Sequence, residues 1–190
     1  MTDAPESDEE LLGRYAAGEA RAFELLYRRH EMRVWRYLER NVGNRATADE
    51  LMQEVWFAVA RDARRFEPGS RFTAWLFAIA RHRMIDAVRA RRRQVSLEEL
   101  GYDAPPVAEQ LTTAPSIGPL AAVMVREQRG ALTRALGELP DEQRDALLLQ
   151  LEGELSVEEV AAITRSSFEA TKSRLRYART KLRELLGEHA

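Results

Sequence analysis

"SVEEVAAITRSSFEATKSRLRYARTKLRELL", residues 156–186, is the stretch that decides the fold. Ser156 stands three positions before Glu159, the spacing of a capping box, in which a hydroxyl and a carboxylate satisfy the free amides of a helix start. A short apolar helix follows through "SVEEVAAI", the polar "TRSS" turns the chain, and a long basic helix begins. Just upstream, "PDEQRDALLLQLEG" opens on Pro140, suited to a first helical position, and closes on Gly153, suited to a helix end. Short helix, tight turn and long helix form a helix-turn-helix, whose last member enters the major groove of DNA.

Winding that last helix at about 100° per residue separates two stripes. Phe168, Thr171, Leu175, Ala178, Leu182 and Leu185 share the face for packing on the preceding helices. Lys172, Arg176, Arg179 and Arg183 form a second stripe, with Glu169, Ser173 and Thr180 beside it, while Arg174 and Lys181 flank the opposite apolar edge. Anchoring along one side leaves the cations for phosphates and the first turn for base edges. A solvated amphipathic helix is the other reading, and it leaves unexplained why Glu169 is the only acid between Arg165 and Arg183.

Outward from this module the caps order the rest of the chain. Ser7 with Glu10 and Thr47 with Glu50 also fit capping boxes. A first helix is predicted from about Asp8 to Ala17, broken near Gly18, and a second through "EARAFELLYRRHEMRVWRYLERN" to Gly43 and Asn44. "ATADELMQEVWFAVARDARRF" is the next; "EPGS" supplies a turn, and "FTAWLFAIARHRMIDAVRARRR" follows as another helix. Strand-like alternation is hard to find, so the fold class is all-α. From Gln94 to Gly118 three prolines and two glycines interrupt the pattern and no basic residue occurs. That segment reads as a flexible linker, residues 94–118, between two small helical domains, residues 1–93 and 119–190, the second carrying the helix-turn-helix. Fully extended it spans roughly 80 Å, more than two turns of B-DNA at ~34 Å each.

The net charge of −2 conceals a segregation of sign. Arg81, Arg83, Arg89, Arg91, Arg92 and Arg93 face Asp86 alone, whereas residues 138–159 hold eight acids against Arg144. Two separate basic segments suit two contacts with a polyanion, and solvated helix faces are the plainer alternative. With no cysteine, disulfides and thiolate metal sites are excluded and a reducing cytoplasm is the expected home. The acidic start lacks the apolar core of a signal peptide, and no run is long enough to insert in a membrane. His30, His82 and His189 are scattered; His82 with Asp86 reads as a solvated helix pair rather than a metal site. With no phosphate-cradling glycine motif or nucleophile elbow, no active site, cofactor or metal is expected.

The upstream half sharpens the reading. "ATADELMQEVWFAVA", then "FTAWLFAIARHRMIDAVRARRR", a linker, "LPDEQRDALLLQLEGELSVEEVAAI" and "ATKSRLRYARTKLR" together resemble the extracytoplasmic-function sigma factors of bacteria, from about residue 10 to residue 186. The resemblance implies a transcription initiation subunit, not an enzyme, whose first domain docks on core RNA polymerase and captures the minus-10 promoter element. Its second domain would read the minus-35 element, and an anti-sigma factor that blocks these surfaces is expected as a partner.

Carried onto this chain, polymerase contact falls to Asp49, Glu50, Gln53, Glu54 and Phe57, which point away from the core face of Leu51, Val55 and Val59. An exposed aromatic among carboxylates suits a protein interface, although Phe57 packed against the first helix is the alternative. The minus-10 element falls to Glu67, Gly69, Ser70, Arg71, Phe72, Trp75, Arg81, His82, Arg83 and Arg89. A base pulled from its stack needs apolar walls, polar groups and cations, and this stretch has all three. Core packing is the favoured role for Trp75 itself, because "WLFAIA" is apolar nearly all round. The minus-35 element falls to Arg165, Ser167, Phe168, Glu169, Lys172, Ser173, Arg174, Arg176 and Arg179.

The chain also departs from the family pattern. Arg165 stands where the commonest turn has glycine, Glu169, Ala170 and Thr171 where many members have Gly-Thr-Val, and His82 where asparagine is usual; Asp86 and Arg89 match. These differences bear on promoter preference more than on fold. The competing readings are a helix-turn-helix regulator working without polymerase and a helical adaptor that binds only proteins.

Overall fold

A computed structural model describes residues 6–98 and 130–187, and among these residues there is no strand. The helices are α1 (Asp8–Ala16), α2 (Ala20–Val42), α3 (Arg45–Asp62), α4 (Phe72–Glu98), α5 (residues 130–137), α6 (Asp141–Gly153), α7 (Val157–Thr164) and α8 (Phe168–Gly187). A 3-10 turn, Ala63–Arg65, extends α3.

Two of the three anticipated capping boxes form. Ser7 Oγ accepts from Glu10 N at 3.2 Å while Glu10 Oε2 accepts from Ser7 N at 2.8 Å, and Ser156 and Glu159 repeat the exchange at 3.2 and 2.7 Å. The third does not form. Helix α3 begins earlier than expected because Asn44 Oδ1 accepts from Thr47 N at 3.0 Å, which puts Thr47 inside the first turn. Pro140 is likewise the cap of α6 rather than its first helical residue.

Gly43 ends α2 with φ 64°, as a helix-ending glycine should. Gly153 has a different reason to be glycine. The left-handed position after α6 falls on Glu154, with φ 50°, whereas a Cβ on Gly153 would stand 2.8 Å from Leu155 Cγ and 3.3 Å from Phe77 Cγ. The missing side chain lets α6 approach α4.

The first four helices enclose Leu11, Leu12, Leu26, Leu38, Val55 and Leu76, all at most 1 % exposed. Trp56 is wedged between Phe23, edge-on at 5.6 Å, and Tyr27 at 5.0 Å. Helix α1 is bound in by its acids. Asp8 meets His30 Nε2 at 2.6 Å and Arg29 at 2.9 Å, and Glu9 Oε1 accepts from Phe72 N at 2.7 Å, so α1 caps α4 across 63 residues of chain. Burial raises the Asp8 pKa, and its hydrogen bonds to His30 and Arg29 outweigh that and hold it below the ordinary 3.8.

In the second half Leu147, Leu148, Leu175 and Ala178 are buried between α6 and α8. The two halves share one apolar cluster, in which α2 and α4 pack against α6. The Tyr37 and Phe77 rings meet edge-on at 5.5 Å beside that seam. Helix α4 continues to Glu98, so residues 94–98 of the anticipated linker are helical; its remainder, 99–118, and residues 119–129 lie outside the described residues.

Candidate nucleic-acid and protein interfaces

The turn between α7 and α8 is built from hydroxyls. Arg165 adopts the left-handed conformation, φ 53°, that the sequence comparison with glycine anticipated. It donates its N–H to Ala162 O at 3.2 Å, and Ser166 N reaches Ala161 O at 3.0 Å. Thr164 Oγ1 donates to Val160 O at 2.8 Å and lies 2.7 Å from Ser166 Oγ, which in turn lies 2.8 Å from the buried Thr171 Oγ1. Ser167 Oγ accepts from Ala170 N at 3.2 Å and caps α8. This stitching fixes the angle at which α8 leaves the module.

Helix α8 buries Thr171, Leu175 and Ala178, with Leu182 and Leu185 half-buried, as its apolar stripe requires. Phe168 departs from that stripe: it is 41 % exposed, and Lys172 Nζ sits 5.9 Å from its ring centre. Lys172, Arg176, Arg179 and Arg183 are exposed together, with Glu169 exposed and Ser173 half-buried beside them. Arg176 stacks over Tyr177 at 5.0 Å. Arg174 instead pairs with Glu142 at 2.5 Å, and Arg179 donates to Gln150 at 2.5 Å, tying α8 to α6. Among the described residues no acid pairs with Lys172, Arg176 or Arg183.

The turn before α4 is tight: Ser70 N donates to Glu67 O at 3.1 Å and Gly69 takes φ 85°. Glu67, Gly69 and Arg71 are exposed and Ser70 is half-buried. Phe72 does not reach this surface. Position 72 lies on the core stripe with Leu76 and Ala80, so its ring is wholly buried between His30, Phe66 and Trp75 and cannot touch a base. Trp75 is half-buried against Phe66 at 5.3 Å, consistent with core packing. Farther along α4, Arg89 and His82 are exposed, His82 facing Asp86 at 3.3 Å as a solvated pair, and Arg83 is half-buried.

On α3, Asp49, Glu50, Gln53, Glu54 and Phe57 line one exposed ridge. Phe57 is 74 % exposed, so it does not pack on the first helix. Asp49 accepts from Trp35 Nε1 at 2.7 Å, which fixes the ridge to α2.

A set of contacts that sequence reading missed lies between the two halves. Asp145, 7 % exposed, accepts from Tyr37 OH and from Arg81 Nε, each at 2.7 Å. Glu152, 6 % exposed, takes Arg36 at 2.9 Å on one oxygen and Arg40 at 2.6 Å on the other. Arg71 donates to Glu154 O at 3.1 Å and to Glu159 Oε2 at 3.0 Å, and Arg81 also reaches Ile163 O at 3.2 Å. Burial, then the neighbouring Asp145, push the Tyr37 phenol well above its usual range, so it serves as a neutral donor. A signal was present: Asp145 and Glu152 are seven apart on α6, and Arg33, Arg36 and Arg40 repeat on one face of α2. Among the described residues no group of acids, histidines or cysteines could hold a metal ion.

Comparison with known proteins agrees with this architecture. The Sigma-70 region 2 family model matches residues 26–94 and the Sigma-70, region 4 model matches residues 129–182. The chain is 36 % identical to RNA polymerase sigma factor CarQ of Myxococcus xanthus over 92 % of this chain and 95 % of the relative. It is 37 % identical to ECF RNA polymerase sigma factor EcfG of Rhodopseudomonas palustris over 76 % of this chain and 74 % of that one. Among solved structures, sigma factor RpoE in complex with anti-sigma factor NepR from Bartonella quintana superposes with TM-score 0.69 at 25 % identity, covering 87 % of this chain and 96 % of that one.

Proposed function

Because the chain belongs to the extracytoplasmic-function group of the sigma-70 family, we propose that it is an alternative sigma factor, which binds core RNA polymerase and directs promoter recognition, melting and transcription initiation. In this reading residues 1–93 serve polymerase and the minus-10 element, residues 94–118 tether, and residues 119–190 serve the minus-35 element. The observation that carries it is the pairing, in one chain, of an exposed acid and aromatic ridge on α3 with an exposed cationic row on α8.

The α3 ridge offers polymerase an aromatic anchor in Phe57, rimmed by Asp49, Glu50, Gln53 and Glu54. Helix α8 lies in the major groove, with Lys172 and Arg176 on phosphates and the capped first turn at the base edges. The exposed Glu67–Arg71 turn, with Arg83 and Arg89 behind it, takes the melted minus-10 strand, and the buried Phe72 and half-buried Trp75 hold that turn from beneath. The chain contributes specificity and lends no catalytic group of its own, and it works in the cytoplasm. No described helix is long and apolar enough to cross a membrane. The Bartonella relative is bound to an anti-sigma factor, and a corresponding restraint is proposed for this chain. Run-off transcription with purified core polymerase tests the reading: transcripts should depend on added chain, and tight duplex binding without a transcript would favour a regulator that works alone.

A further inference from the structure

The start of α4 carries an unusual residue for its position. Arg71 O accepts the first intrahelical bond, from Trp75 N at 3.2 Å, so Arg71 is the N-cap, where a short oxygen-bearing side chain is the ordinary choice. A guanidinium only donates, and Arg71 sends its own away from the helix to Glu159 Oε2 at 3.0 Å. The acceptor comes instead from Glu9, whose Oε1 takes Phe72 N at 2.7 Å. Glu9 is itself fixed in place. Its neighbour Asp8 holds Arg29 at 2.9 Å and His30 at 2.6 Å, and the His30 ring lies 5.4 Å from that of Phe72.

Helix α1 also holds the other end of the same segment. Ala16 O, in its last turn, accepts from Arg64 Nε at 3.4 Å, and the helix packs on the 3-10 turn that precedes Phe66. Glu9 and Ala16 lie roughly 10 Å apart along the helix at about 1.5 Å per residue, whereas the chain from Arg64 to Phe72 would reach roughly 27 Å if extended. Tied at both ends to one rigid helix, the segment must fold back, and Gly69 with φ 85° gives it the turn.

We infer that Glu9 is a positioning residue for strand capture: by capping α4 from outside, it keeps the Glu67–Arg71 turn in the shape that receives single-stranded DNA while leaving the cap position itself to a cation. The inference rests on the sigma-factor reading for the role of the turn; the capping is a property of the chain alone. A turn already held in its bound shape loses less conformational freedom on binding, and affinity rises accordingly. Duplex binding, which falls to α8, does not depend on this arrangement.

Three variants of the full chain test it, each read against a random-sequence single strand of about 20 nucleotides and a random duplex of the same length. Glu9→Ala deletes the acceptor, Glu9→Asp keeps the charge but withdraws it by one methylene, and Glu9→Gln keeps the reach and an acceptor oxygen without the charge. Charge alone predicts that losing an acid tightens strand binding for Ala and Gln alike. Positioning predicts a different order. Glu9→Ala and Glu9→Asp should weaken strand binding about fivefold, the factor that corresponds to a lost helix cap, with Glu9→Gln close to the parent and duplex binding unchanged in all three. Amide hydrogen exchange should quicken at Phe72 and Ser70 in the first two variants and not in the third. Strand affinity unchanged or raised in Glu9→Ala overturns the inference, as does an equal loss in Glu9→Gln or a parallel loss of duplex binding. Should Glu9→Ala misfold, Glu9→Asp against Glu9→Gln decides by the same criteria. Run-off transcription keeps the two readings apart. A chain whose strand binding follows Glu9 but which adds no transcripts to core polymerase loses the sigma-factor role and keeps the capping; chain-dependent transcripts with strand binding indifferent to Glu9 sink the inference alone.

Discussion

Trp56 and Phe57 are consecutive in α3 and face opposite ways, the first 5 % exposed between Phe23 and Tyr27, the second 74 % exposed on the acidic ridge. Trp56→Ala should therefore destabilise the fold by about 3–5 kcal/mol through the cavity it leaves. Phe57→Ala should shift stability by no more than about 0.5 kcal/mol. It should nevertheless weaken core polymerase binding by roughly 2 kcal/mol, as expected of an aromatic anchor. Urea unfolding and a fluorescence titration against core enzyme separate the two effects; a stable Phe57→Ala chain with undiminished affinity would remove the ridge from the interface.

Lys172 and Arg176 are expected to act on phosphate. Lys172→Ala should lower affinity for promoter duplexes of different sequence alike and reduce the slope of log affinity against log salt by about 1. Anisotropy titrations at several salt concentrations measure that slope.

Arg165 carries a left-handed backbone, φ 53°, that costs a residue with a Cβ roughly 1 kcal/mol. Arg165→Gly should therefore leave the fold intact and raise stability by up to about 1 kcal/mol, less whatever flexibility glycine adds to the unfolded chain. Thermal denaturation compared with the parent chain reads the sign.

Gly153→Ala should be destabilising by about 1–3 kcal/mol, since the new methyl stands 2.8 Å from Leu155 Cγ and 3.3 Å from Phe77 Cγ. Paired with Phe77→Leu, which removes ring atoms from the contact, part of the loss should return. Denaturant midpoints of the two single variants and the double variant give the coupling.

Acid should release α1. The Asp8 pKa is lowered in the folded chain despite burial, because His30 and Arg29 bond its carboxylate. Its contribution is thus complete above the ordinary 3.8 and disappears as pH falls through the lower folded value. The melting temperature of the parent should exceed that of Asp8→Asn near neutral pH, and the two should draw together as pH falls below 3.8 and through the lower folded value. Parallel curves across that range would deny Asp8 the role.

Much of this was written in local pattern. Ser7, Ser156, Gly43 and the 3.6-residue period of α8 are features whose causes lie within one helical turn, and the structure follows them. Phe168 misled because a stripe drawn on a helix assumes a neighbour along its whole length, whereas the first turn of α8 projects past the core. Thr47 misled because Asn44 offered an earlier cap. The contacts of Asp145 and Glu152 were legible only as two acids on an otherwise apolar face; their side-chain partners lie 64 to 116 residues away in sequence, on helices whose pairing no local rule specifies. Phe72 was read by its chemistry, and its burial depends on where His30 and Trp75 come to rest.

The reach of Glu9 to Phe72 N sets a rule for trimming the gene. The region 2 match begins at residue 26, and a fragment cut there would retain every matched position yet lose the carboxylate that finishes the start of α4. Its Glu67–Arg71 turn would fray, and a promoter assay on such a fragment would report damage at the scissors rather than the competence of the domain.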